Sequence, residues 1–271
     1  MKAKLILALI FLLSGCGGGS SSSETKVKLY DVDKTIKVYN LYDFGKNNKG
    51  YAANAPITVS AYYRSSNSLF YRESVLYNGN LFRGKVETKF LIQDDSTPQK
   101  SSFNIELNLK ESSSQLEVAK QILTIKNDDS VAYVIAVGDS TSKNANIIAK
   151  DTIDTTAKAD NVAVYVINLM DTSKNAPVGD LFVDGKLVQS QFKKGELSNK
   201  IEISKNAYST LINVHDDTGN AFINTRDCAV GTIINGINNG HHWESNNWLI
   251  VFNNHEQSYS STVGNCYRIP L

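Results

Sequence analysis

The chain has 271 residues, with 28 Lys and Arg against 27 Asp and Glu, a formal charge of +1, and 41% hydrophobic residues. This is globular composition, and 3 Cys and 4 Pro exclude a disulfide-dense scaffold or a proline-rich low-complexity chain. The near-zero charge argues against a nucleic-acid-binding surface, which needs a basic excess to face phosphates.

Lys2 and Lys4 precede an uninterrupted apolar run of nine residues, Leu5 to Leu13. A helix needs about 20 residues to cross a hydrocarbon core, so residues 1–15 read as a signal peptide and not as a span. The following Leu13-Ser14-Gly15-Cys16 resembles a bacterial lipobox, which implies diacylation of the Cys16 sulfur and cleavage in front of it. Residues 16–25 carry Gly17-Gly18-Gly19 and Ser20 to Ser23, a tether too polar and small to order itself. Losing Lys2 and Lys4 takes the formal charge from +1 to −1, so the bilayer would be held by acyl chains, at about 0.8 kcal/mol per buried CH₂, and not by charge. Gly17 stands where an Asp would retain a lipoprotein in the inner membrane. The expected location is therefore the bacterial envelope, lipid-anchored, and the outer membrane in a Gram-negative host.

Beyond the tether the periodicity is that of strands. Ser74 to Tyr77 and Leu81-Phe82 flank Asn78-Gly79, a dipeptide that supplies the positive φ of a type I′ hairpin turn. Phe103 to Lys110 alternates apolar and polar residues, the mark of a strand with one buried face. Gln115 to Lys126 fits a short helix or a strand. Val131 to Val137 and Trp248 to Phe252 are apolar runs suited to strands buried on both faces, and Asp184-Gly185 joins Leu181-Phe182-Val183 to Lys186-Leu187-Val188 as a second hairpin. The chain is expected to be all-β.

Parts of the sequence repeat. Val38-Tyr39-Asn40-Leu41-Tyr42-Asp43 matches Val166-Ile167-Asn168-Leu169-Met170-Asp171, and Asn54-Ala55-Pro56-Ile57 matches Asn175-Ala176-Pro177-Val178, with seven extra residues between the two matches in the first copy. Ala132 to Asp139 aligns with Asn247 to Asn254. Three matches in one order predict two copies of a domain, at 26–151 and 161–271, joined by a polar linker at 152–160; each has the size of a Greek-key sandwich. The second copy, from Tyr165-Val166-Ile167-Asn168-Leu169 through Asn175-Ala176-Pro177-Val178-Gly179-Asp180-Leu181-Phe182-Val183-Asp184-Gly185, resembles a bacterial envelope domain of unknown function found singly or in tandem in exported lipoproteins. That resemblance implies an immunoglobulin-like β-sandwich and no known activity.

In an oxidising compartment Cys228 and Cys266 are read as one disulfide, two buried thiols being the alternative. The bridge would close a loop spanning 38 positions, worth about 3 to 4 kcal/mol. All 4 His, His215, His241, His242 and His255, lie in the C-terminal third. Those after Gly240 and those after Asn254 sit at opposite ends of the strand at 247–252, about 20 Å apart, too far to share an ion. No HExxH, CxxC, P-loop or Gly-x-Ser-x-Gly motif is present, so no cofactor, resident metal or enzymatic activity is expected. The leading expectation is a non-catalytic lipoprotein binding another envelope component, with His241, His242 and Trp243 in the Gly- and Asn-rich loop 231–247 as partner-binding residues or, for the apolar ones, as side chains packed inward. A glycan-binding module using Tyr39, Tyr42, Tyr51, Tyr62, Tyr63, Tyr71 and Tyr77 is the second expectation, since aromatic faces stack on sugar C–H surfaces. A metal-binding or hydrolytic lipoprotein is the third.

Overall fold

The structure is a computed structural model that describes residues 29–46, 52–54, 56–65, 71–79, 84–96, 98–139, 145–169, 178–205, 207, 210–215, 221–224, 246–253 and 265–271. All regular structure among them is β, as the periodicity predicts. The first half contributes β1 (Tyr30–Lys46), β2 (Ala52–Asn54), β3 (Ile57–Arg64), β4 (Tyr71–Gly79), β5 (Gly84–Asp94), β6 (Ser102–Glu111), β7 (Glu117–Lys126), β8 (Ala132–Asp139) and β9 (Asn146–Lys150). The second contributes β10 (Asn161–Asn168), β11 (Val178–Val183), β12 (Lys186–Lys193), β13 (Ile201–Ser204), β14 (Ile212–His215), β15 (Ala221–Asn224), β16 (Trp248–Asn253) and β17 (Asn265–Pro270).

These strands form four sheets. Sheet I runs β4-β3-β6-β7, and sheet II runs β5-β1-β8-β9 with β2 paired to the far end of β1. Sheet III runs β13-β10-β16-β17, and sheet IV runs β12-β11-β14-β15. The halves correspond strand for strand, down to the parallel pairs β1/β8 and β10/β16 in otherwise antiparallel sheets. The repeat read from sequence is therefore a repeat of topology, and β2 lies within the insertion of the first copy. In each half the first, fourth, seventh and eighth shared strands make one sheet and the second, third, fifth and sixth the other. This corrects the immunoglobulin-like expectation, in which A, B, E and D share a sheet opposite C, F and G. Period-two patterning reveals strands and their buried faces, but not which sheet each strand joins.

The ladders also correct the repeat's last match by one residue. Val38 lies opposite Val134, and its counterpart Val166 lies opposite Ile250. Val134 thus corresponds to Ile250 and not to Leu249. A one-residue slip exchanges the faces of a strand, and the burial agrees: Val134 and Ile250 face the core within their own half, whereas Leu249 faces the other half.

Three cores separate the four sheets. Sheets I and II enclose Val38, Ile57, Ala61, Phe90, Ile105, Leu107 and Val134; sheets III and IV enclose Val164, Val166, Leu181, Phe192, Val214 and Ile250. Between sheets II and III a third core packs Tyr39, Leu41, Ile135 and Val137 against Ala163, Ile167, Leu249 and Val251. Sheets II and III are covered on both faces, which explains the unbroken apolar runs of β8 and β16. The segment at 151–160 runs along this junction: Ile153 is buried in the shared core, the Tyr165 hydroxyl donates to the Asp154 carbonyl at 3.0 Å, and Asn247 Nδ2 donates to the Thr155 carbonyl at 3.0 Å. Just before it, the fully buried Lys34 ammonium contacts Asp151 at 3.1 Å and Asp128 at 2.9 Å, and donates to Ser130 Oγ at 2.7 Å and the Lys126 carbonyl at 3.2 Å.

The two predicted hairpins part ways. Asp184 and Gly185 have φ of 49° and 77° and link β11 to β12 as the type I′ pattern demands. Asn78 and Gly79 instead end β4, paired with Thr58 and Ile57. β4 pairs back onto β3 and the next strand joins sheet II, so the dipeptide ends a strand where it could have folded one. Gln115 to Lys126 resolves as a tight turn, with Gln115 at φ 56°, followed by β7.

Candidate functional site

Sheet I has one face in the core and the other outward. β3 sends Ile57, Val59, Ala61 and Tyr63 inward and Thr58, Ser60, Tyr62 and Arg64 outward. β6 sends Phe103, Ile105, Leu107 and Leu109 inward, leaving Glu106 and Asn108 outward. Pairing Tyr62 with Glu73 and Glu106, and Glu106 with Ile122, lays one cross-strand row over four strands; Val75, Ser60, Asn108 and Lys120 form the next. Rows of this kind hold side chains about 5 Å apart, close enough to act together on one ligand.

Tyr62 is at the centre. Its ring lies 6.2 Å from that of Tyr71 at 37°, and the Arg64 guanidinium sits over the Tyr71 ring at 5.9 Å from its centroid. Tyr71, Val75 and Ile122 are 57%, 56% and 52% exposed on this same face. Lys120 and Glu106 close an ion pair of 2.7 Å, and the bond from Glu106 holds the ammonium above the usual lysine range. Desolvation, with Glu73 as the next cause, pushes the Tyr71 phenol up, while Arg64 opposes it. Asn108 is buried, and its Oδ1 has no hydrogen-bond partner among the described residues. Leaving such an atom unpaired costs about 1 to 3 kcal/mol, which a ligand hydroxyl or a water can offset. The face thus offers an aromatic step, apolar flanks and charges already neutralised by one another.

This places the tyrosines differently from the expectation of one shared exposed face. Tyr39, Tyr42, Tyr63 and Tyr77 are buried, and Tyr51 lies outside the described residues, so Tyr62 and Tyr71 alone of the seven form the platform. Tyr39 and Tyr42 belong to a sheet covered on both sides, where every position is a core position. Sequence reading missed Arg64, Glu106, Asn108, Lys120 and Ile122; the alternation of Phe103 to Lys110 already turned Glu106 and Asn108 outward, but the ambiguity of 115–126 hid their partners on β7.

Cys16, Cys228, His241, His242, Trp243 and His255 lie outside the described residues. Cys266 falls on β17 opposite Phe252. Among the described residues no group of three or more His, Cys, Asp and Glu is placed to hold a metal ion. His215 stands on β14 opposite Asp180, its ring 4.4 Å from that of Phe182.

No family model matches the chain, and no curated protein matches it. Among solved structures, a candidate adhesin from Bacteroides ovatus aligns over 86% of this chain and 96% of its own, at 6% identity and a TM-score of 0.20. A superposition that loose carries no argument about role.

Proposed function

We propose that this chain is a lipid-anchored envelope protein that binds a ligand without transforming it, and that the outward face of sheet I is where a neutral glycan docks. The observation that carries the reading is the Tyr62–Tyr71 pair, two stacked rings held outward on a sheet whose other face is core. Aromatic faces receive the C–H surfaces of sugar rings, while Arg64, Glu106 and Lys120 offer hydrogen bonds to hydroxyls. Those charges are engaged with neighbours on the same face, so a charged partner would have to break existing contacts that a neutral one can keep. The anchor rests on the lipobox-like Leu13-Ser14-Gly15-Cys16, and acylation there would keep the platform at a membrane surface.

Each half of the reading has its own test. Cys16→Ala should move the protein from the membrane to the soluble fraction, and mass spectrometry finding an unacylated mature N-terminus in the wild type would remove the anchor. Tyr71→Ala should weaken capture of immobilised neutral polysaccharide about tenfold without lowering thermal stability. Retention unchanged by Tyr71→Ala and Tyr62→Ala would remove the platform.

A further inference from the structure

The duplication carries the platform with it. In the first half the ladder pairs Ser60 with Asn108, Ala61 with Leu107 and Tyr62 with Glu106. In the second it pairs Asp180 with His215, Leu181 with Val214 and Phe182 with Asn213. Ala61 and Leu181 are the inward members of both sets, each fully buried, which fixes the correspondence: Phe182 stands where Tyr62 does, and His215 where Asn108 does.

The chemistry corresponds as well. Tyr62 has Tyr71 beside it at 6.2 Å, and Phe182 has the His215 ring beside it at 4.4 Å and 32°. Each central ring lies by an exposed apolar residue from the hairpin strand, Tyr71 in one case and Leu187, 49% exposed and paired to Phe182, in the other. At matching positions, Asn108 Oδ1 and His215 Nε2 are both buried atoms with no hydrogen-bond partner among the described residues, and Asn213 Oδ1 adds a third beside Phe182. The carboxylate on this face, Asp180, accepts the Gln191 backbone N–H at 2.9 Å. An aromatic ring flanked by uncharged hydrogen-bonding groups suits hydroxyls better than an ionic ligand.

We propose that the Phe182–His215 face of sheet IV is a second binding site for the same ligand class, a neutral oligosaccharide. This rests on the reading of sheet I as a glycan platform. Sheets I and IV are the two outer layers of the stack, so the sites face away from each other and one chain bridges two strands of glycan. Such a module gains avidity on a polymer network without any new contact.

Calorimetric titration of the full mature chain carrying Cys16→Ala, with cellohexaose and maltohexaose as probes, tests it. Two equivalents of one hexaose should bind per chain. Tyr71→Ala should leave one, Phe182→Ala or His215→Ala should leave the other, and each lost site should weaken at least about tenfold. His215→Ala guards against misfolding of Phe182→Ala, and far-UV circular dichroism is recorded for both. A single equivalent, abolished by Tyr71→Ala and untouched by Phe182→Ala and His215→Ala, overturns the second site while leaving the first. No binding of either hexaose by the parent chain removes the glycan reading itself and this inference with it.

Discussion

The Tyr63 hydroxyl, buried between sheets I and II, donates to Asp94 Oδ1 at 2.6 Å and so ties the last turn of one sheet to the end of a strand in the other. Burial opposes ionisation of Asp94, but hydrogen bonds from Ser96 and Tyr63, and the nearby Lys100, outweigh it and bring its pKa from 3.8 to about 2. A folded-state value below the unfolded one stabilises the fold above about pH 4, and that contribution is lost as pH falls from there toward 2. Tyr63→Phe should cost about 1 to 3 kcal/mol at neutral pH and flatten the acid limb. Urea midpoints measured between pH 7 and pH 2 check this, and equal losses at every pH would contradict it.

Lys34 has no exposed surface and holds Asp128 and Asp151 together. Replacing it with Met keeps the bulk but strands the less exposed carboxylate, Asp151, whose Oδ2 already lacks a partner. Losing one member of a buried pair costs about 3 kcal/mol or more. Lys34→Met should lower the denaturation midpoint accordingly, and adding Asp151→Asn should restore part of the loss.

The core shared by sheets II and III predicts that the two halves unfold together. Scanning calorimetry should give one transition, and Ile135→Ala, which empties a fully buried position there, should destabilise the whole by about 2 to 5 kcal/mol. Residues 161–271 expressed alone should expose Ile167, Leu249 and Val251, bind a hydrophobic dye and aggregate. Two separated transitions in the intact chain would show that the halves are independent.

Gly179 is fixed by proximity. A Cβ there would sit 2.6 Å from Val214 Cγ1 and 2.8 Å from the His215 carbonyl oxygen, and the backbone atom cannot swing away. Gly179→Ala should push β11 off β14 and cost about 1 to 3 kcal/mol. Gly185, at φ 77° with open space around it, should tolerate bulk but resist any side chain by about 1 kcal/mol on conformational grounds. Thermal melts of the two variants rank them.

Cys228 and Cys266 are proposed as a bridge. Thiol titration of the unfolded, unreduced chain carrying Cys16→Ala should find no free thiol, and two reactive thiols would refute the pairing.

Much of the fold was legible because its signal is local. Alternation marked β6, apolar runs marked β8 and β16, Asp184-Gly185 marked a hairpin, and paired motifs such as Asn40 and Asn168, both buried in the structure, marked the duplication. What stayed hidden depends on pairing between distant residues. The Tyr62 platform needs β4, β6 and β7 to lie beside β3, and nothing in 57–64 names those neighbours. The burial of Tyr39 follows from a neighbouring sheet in the other half, so a reading of one strand could not distinguish it from Tyr62.

β1 enters the fold at Tyr30 and is held along both edges, by β5 from Tyr30 to Asn40 and by β8 from Ile36 to Asp43. Tension applied through the residues preceding Tyr30 acts along that strand. It loads the two flanking ladders in shear, where many hydrogen bonds must yield at once, and not in a peeling geometry where they fail one by one. A protein tethered by its N-terminus and pulled at its far end would therefore fail late, and the first strand to bear the load is also the one that contributes Tyr39 and Leu41 to the core joining the two halves.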